Sequence, residues 1–210
     1  MNYVSFEDFG DALFPHLLGA NPEAVRSTFL LRAQDFYRGC RAWRELLGGF
    51  VIPNDGNLQV WLNPVDGNAD IAYVERVWWA NADEPQTLGH NGGQAPLWRV
   101  TNGHDLHVST GANDNPGNRL IWAEVSCIPT SRRPDFVLPP VALTHHRDTL
   151  VSGVLAVMFG SPKKPYTDLN AAALHERRFV SGIAKWRGTQ DRGYTPGSLR
   201  ASPRPVVRLR

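Results

Sequence analysis

The chain has few cysteines, no long apolar run and none of the short signatures by which common hydrolases and nucleotide-binding proteins are recognised. Its two cysteines in 210 residues, Cys40 and Cys127, stand far apart in apolar segments. That placement argues against a disulfide framework and suits two buried thiols. The longest uncharged apolar stretch, Leu150 to Phe159, is too short to span a bilayer. The N-terminus is acidic and lacks the apolar core of a secretory leader, so a soluble protein made in the cytoplasm is expected. No GxSxG elbow, GxxxxGK[ST] loop, HExxH or CxxC occurs. The recognisable routes to an activated nucleophile, a phosphate cradle or a zinc site are therefore missing. No enzymatic activity, cofactor or bound metal is expected.

What is present is unevenly placed. The formal charge is +2, yet five arginines and no acid follow Asp191, so residues 1–191 hold 17 basic against 20 acidic groups. A mildly acidic body carries a basic tail. A chain of this length buries roughly 70% of the surface its unfolded form exposes, so it can hold a core without staples.

Helical punctuation opens the chain. Ser5 suits an N-cap, with Asp8 three residues on and Val4 and Phe9 placed as a hydrophobic staple, predicting a short helix over Phe6 to Leu13 that ends near Pro15. Asn21, Pro22 and Glu23 begin a second helix. Val25, Phe29, Ala33, Phe36, Tyr37, Cys40, Trp43 and Leu47 recur on one face, predicting six turns stopped by Gly48 and Gly49. From Phe50 to Ile128 the period falls to two. Strands are predicted over Leu58 to Leu62, Ile71 to Trp79, Leu97 to Val100, Leu106 to Ser109 and Leu120 to Ile128. Pro64 to Gly67 and Asn102-Gly103 supply turns, and Asn113 to Gly117 a further loop.

Near the end, Pro139 and Pro140 precede a helix whose stripe is Leu143, Leu150, Val151, Val154, Leu155 and Met158. Gly160 is expected in the left-handed conformation that closes it, with Pro162 preventing continuation. Thr167 or Asp168 then caps a second helix striped by Leu169, Ala173, Phe179, Val180, Ile183 and Trp186, and so short a connection predicts antiparallel packing. Helices at both ends with strands between imply an α+β fold. The expected segments are N-terminal helices over 1–49, an inserted antiparallel β-region over 50–137, a helical hairpin over 138–187 and a flexible basic arm over 188–210. Trp186 and Arg187 read as the hinge. The arm has too few large apolar residues to order itself alone.

Candidate chemistry is sparse. His104 and His107 flank Asp105, but a spacing of three on a strand points the rings to opposite faces, which opposes a shared metal. His145 and His146 precede Arg147, and no nucleophile within reach makes either a general base; helix surface or a subunit contact fits them better. Arg147 interrupts the apolar stripe, so it pairs with a carboxylate within the subunit or across an interface. Trp78 and Trp79 point to opposite faces of their strand, leaving one for another element, a neighbouring subunit or a carbohydrate ring.

Taken in order, these segments resemble the head-to-tail adaptor proteins of tailed bacteriophages, the connector, neck or head-completion proteins, especially those of short-tailed phages. The opening SFEDFGDALFPHLLGANPEAVRSTFLLRAQDFYRGCRAW is similar to that family's short helix, proline break and long helix, ending here in Phe36, Cys40 and Trp43. LPPVALTHHRDTLVSGVLAVMFGSPKKPYTDLNAAALHERRF is similar to its hairpin, with small residues at Ser152-Gly153, a turn at Pro165 to Asp168 and Phe179 closing an Ala-rich helix.

The resemblance implies a structural virion protein at the neck between capsid and tail. It implies a homo-oligomeric ring of twelve copies, docked on the portal protein, extending the DNA channel and offering a platform to the tail or nozzle protein. Genomic DNA would pass through without sequence-specific binding, and no membrane is involved. The arm residues Arg192, Tyr194, Arg200, Arg204, Val206, Val207, Arg208, Leu209 and Arg210 are the expected portal-binding set. His145, His146, Arg147, Trp78 and Trp79 are the candidate subunit interface. Nucleic acid is the competing target for the arginines, but five cations give modest phosphate affinity and the acidic body repels DNA. A carbohydrate-binding or tail-fibre-like module using exposed tryptophans is the alternative function.

Overall fold

A computed structural model describes residues 3–51, 57–64, 67–81, 97–109, 119–132 and 135–191. The fold is α+β. Strand β1 (Val4–Ser5) leads into a 3-10 turn, the short helix α1 (Gly10–Leu13) and a second 3-10 turn at Phe14–His16. The expected cap is present, since the Ser5 amide donates to Asp8 Oδ2 at 2.8 Å. Helix α2 (Pro22–Cys40) starts where Asn21 Oδ1 accepts from the Glu23 amide at 3.0 Å. Its buried face, Val25, Phe29, Ala33, Phe36, Tyr37 and Cys40, matches the predicted stripe.

The helix does not continue to Gly48. Arg41 adopts a left-handed conformation with φ 56°, its amide donating to Tyr37 O, and Arg44–Val51 forms strand β2. Residue 49, the expected end of the helical segment, lies inside this strand. Trp43 and Leu47 are both buried, and their spacing of four satisfies a helical face and a strand face equally. The shared spacing is why periodicity extended the helix too far.

Strands β3 (Asn57–Trp61), β4 (Ala69–Asn81), β5 (Leu97–Thr101), β6 (Asp105–Ser109) and β7 (Arg119–Pro129) follow. They form two antiparallel sheets of order β2-β7-β4 and β3-β6-β5. Asn102 and Gly103 both have positive φ, as a hairpin turn between β5 and β6 requires. On β7, Ile121, Ala123, Val125 and Cys127 are completely buried, with the half-buried Trp122 and Glu124 and the buried Ser126 between them. That face meets α2, where Gln34 Nε2 also donates to Pro129 O at 2.9 Å. Leu106 and Val108 of β6 are buried in the same core cluster as Val77 and Ile121, so the helices and both sheets share one core.

Strand β8 (Val137–Leu138) pairs with β1, tying the N-terminus to the start of the C-terminal helices. The first helix of the hairpin is broken. A single turn, α3 (Val141–Thr144), stops at His145, and α4 (Arg147–Gly160) starts afresh two residues later. Gly160 is the last helical residue and not a left-handed cap; Ser161 is extended and the left-handed residue is Lys163, φ 59°. Asp168, as expected, caps α5 (Leu169–Asp191) by accepting from the Asn170 and Ala171 amides.

Helix α5 runs past Trp186 and Arg187, so the expected hinge is continuous helix, with Thr189 Oγ1 bonding back to Lys185 O at 3.0 Å. Only part of its predicted stripe is inward. Phe179 is buried and Ile183 and Trp186 partly so, whereas Leu169, Ala173 and Val180 are exposed. Three close approaches set this phase. An added Cβ on Gly153 would stand 2.6 Å from the Phe179 ring, one on Gly182 2.3 Å from Thr149, and one on Gly39 2.7 Å from Ile183. Small residues on α2, α4 and α5 thus bring the helices together at Phe179, Thr149 and Ile183.

Candidate functional site

The expected interface residues separate. His146 lies in the break between α3 and α4 and is completely buried, so it cannot face a neighbouring subunit, and that expectation is corrected. Its Nδ1 is 3.3 Å from Tyr37 Oη, and its ring packs edge-on to Trp186 at 4.6 Å and against Phe36 at 5.0 Å. Burial pulls the imidazole down to about 4, with the neighbouring His145 adding to the shift. His146 is therefore neutral at pH 7, a core residue whose Nε2 has no partner among the described residues. The apolar stripe hid this because two adjacent histidines read as solvent-facing; the break turns one inward and the other outward.

His145 is exposed, bonds Thr144 Oγ1 at 2.8 Å and lies 6.0 Å from the Trp186 ring. Arg147 pairs within the subunit, to Asp11 Oδ1 at 2.5 Å, which decides between the two alternatives for it. That bond is also the main cause holding the Asp11 carboxyl below its usual range. Trp78 is half-buried and aligned with Trp122 on the sheet face turned away from α2, where Gly48 leaves space for the Trp122 ring. Trp79 is in register with Ile121; its side chain lies outside the described residues. So does the whole expected portal-binding set, from Arg192 to Arg210. His104 sits in the turn against Trp61, ring centroids 4.3 Å apart, while His107 lies within β6. Among the described residues no group of three or more metal-ligating side chains gathers.

Other groupings surface only in three dimensions. Arg32 joins the three long helices: its Nε donates to Gly153 O at 3.1 Å, its guanidinium meets Glu176, and it stacks over the Phe179 ring at 4.2 Å. Arg41 bridges α2 to β4, 3.1 Å from Glu75 Oε2 and over the Tyr73 ring at 4.4 Å. Arg44 reaches Glu124 Oε1 at 3.1 Å. These arginines fall on half-buried positions, which a reading of apolar spacing passes over. Both thiols are buried and free; burial pushes Cys40 up to about 12 and pushes Cys127 up as well. Neither is poised as a nucleophile.

Among the described residues, helix α5 presents a long exposed surface. Of its 23 residues only Phe179 is fully buried, while Leu169, Leu174 and Val180 are 69%, 49% and 56% exposed. By contrast α4 is buried on almost every side, between α1, α2 and α5. Among the described residues no helix is long and apolar enough to cross a membrane. No protein-family model matches the chain, and no curated protein matches it at a significant level.

Proposed function

We propose that the protein is a structural subunit of a bacteriophage neck, an adaptor that forms a ring on the portal, extends the DNA channel and presents a platform to the tail. The observation that carries this reading is α5. At about 1.5 Å per residue the helix is some 34 Å long, and it keeps the large aliphatic side chains Leu169, Leu174 and Val180 in water. A helix built this way is suited to protein neighbours. The remaining support is the sequence resemblance and the arrangement it implies, in which helices from both chain ends meet in one bundle around inserted strands. The basic segment after Asp191 is suited to ordering on a larger partner with acidic groups.

The test removes residues 192–210. The truncated protein is expected to keep its fold by circular dichroism and to lose co-sedimentation with tailless, portal-bearing capsids. Undiminished co-sedimentation would sink the role assigned to the arm, and absence of the full-length protein from capsid necks by electron microscopy would sink the adaptor reading.

A carbohydrate-binding module is the second reading, because Trp61 and Trp98 are exposed. Their register opposes a shared platform: Trp98 aligns with Val108 and Trp61 with Asp105, so the two rings belong to opposite faces of one sheet. Titration with host glycans is expected to leave tryptophan fluorescence unchanged; a saturable change would favour this alternative.

A further inference from the structure

Resting on the ring reading above, we propose that a stripe on α5 of one copy docks on the acidic N-terminal edge of the next. Helical spacing aligns Leu174, Arg177, Arg178, Ser181 and Lys185 along one outward line of α5, and all five are exposed. The stripe has three cations, no acid and one large apolar anchor. The ion pairs among the described residues engage other arginines, such as Arg26, Arg32 and Arg147; Arg177, Arg178 and Lys185 make none, although Arg178 lines a groove with His16 and Asp148 and Lys185 Nζ stands 5.4 Å from the Trp186 ring centroid.

A second surface has the opposite character. Between Tyr3 and Arg26 there are four acids against one base. Glu7 and Asp135 converge on Arg26 while Asp11 lies beside Arg147, so the acids outnumber the cations that hold them. Leu18, 74% exposed, supplies the apolar anchor on this edge. The two surfaces lie on different elements, with α4 packed against both α1 and α5. A cationic face and an acidic face on one chain can pair between successive copies, which is the head-to-tail contact of a ring. Opposite charge around a small apolar centre fixes partner and orientation more than it adds raw affinity.

The test uses charge reversal in the full-length protein. One variant carries Arg177→Glu, Arg178→Glu and Lys185→Glu, all at exposed positions outside the core. The other carries Glu7→Lys and Asp11→Lys. Leu18→Arg is a third probe of the same edge that breaks no ion pair, should the second variant lose its fold by circular dichroism.

In sedimentation velocity at about 0.05 M salt the wild type is expected to form species larger than a monomer that dissociate near 1 M, where screening acts within about 3 Å. Each variant alone should associate at least about tenfold more weakly. An equimolar mixture of the two reversal variants should recover assembly, because reversed α5 then meets reversed edge and each native face meets its native partner. Variants that assemble as the wild type does would overturn the interface. So would a wild type that stays monomeric at low salt, or duplex DNA binding that α5 reversal abolishes while leaving assembly intact. The capsid experiment fails or succeeds independently, because it removes none of these side chains.

Discussion

His146 makes stability depend on pH at a single residue. Its folded-state value is drawn from 6.5 down to about 4 by burial, so between these values the unfolded chain binds a proton that the native protein refuses. The stability is fully present above about pH 6.5 and is lost as pH falls toward 4. The shift corresponds to about 3 kcal/mol. Urea unfolding at pH 7.0 and 4.5 is expected to show most of that loss, and His146→Gln is expected to flatten the slope over this window. An unchanged slope in the variant would mean that the imidazole is solvated in the native state. The two thiols offer a second residue-scale outcome. Because burial suppresses both thiolates, a disulfide-exchange reagent at pH 8 should modify Cys40 and Cys127 only as fast as the protein unfolds.

At the scale of elements, glycine positions decide how the helices meet. Gly153→Ala should be destabilising even though alanine favours an isolated helix by about 1 kcal/mol over glycine. The added methyl would enter the Phe179 ring at 2.6 Å, and overpacking of this kind costs about 1–3 kcal/mol. Gly188→Ala on α5, where no atom lies within 4 Å, is the control and should stabilise slightly. Denaturant midpoints of the two variants are expected to move in opposite directions. Arg41 is the corresponding device at the end of α2. It holds a left-handed backbone while bonding Glu75, so Arg41→Ala loses the ion pair and keeps the strain, whereas Arg41→Gly relieves the strain, roughly 1–2 kcal/mol. Arg41→Gly should be the more stable variant by thermal melting.

For the whole molecule, one core cluster links both sheets to the helices, from Phe9 and Phe29 through Ala123 to Leu106 and Val108. Cooperative unfolding follows from that continuity. Far-ultraviolet circular dichroism, dominated by α2, α4 and α5, and tryptophan fluorescence, which includes Trp122 of the central strand, should give coincident urea transitions. A separate early fluorescence transition would show that the sheets are a unit of their own. The pairing of β1 with β8, Val4 opposite Leu138, ties the N-terminal segment to the start of the C-terminal helices, so deletion of residues 1–5 should lower the single midpoint and leave it single.

Sequence alone was sufficient for the class and for elements whose signals are local. Capping chemistry at Ser5, Asn21 and Asp168, the Asn102-Gly103 turn and the alternation on β7 each depend on a few adjacent residues, and each is found where the pattern puts it. Where two periods share a spacing, as Trp43 and Leu47 do, the choice passed to Arg41 and to the partner strand β7. The phase of α5 was set by Gly39, Gly153 and Gly182, because close approach of two backbones is a property of both elements together. For the same reason only the folded chain turned His146 into the core and gave Arg147 to Asp11. A single helix pattern records which side chains are apolar; it does not record which of its faces the rest of the molecule has already covered.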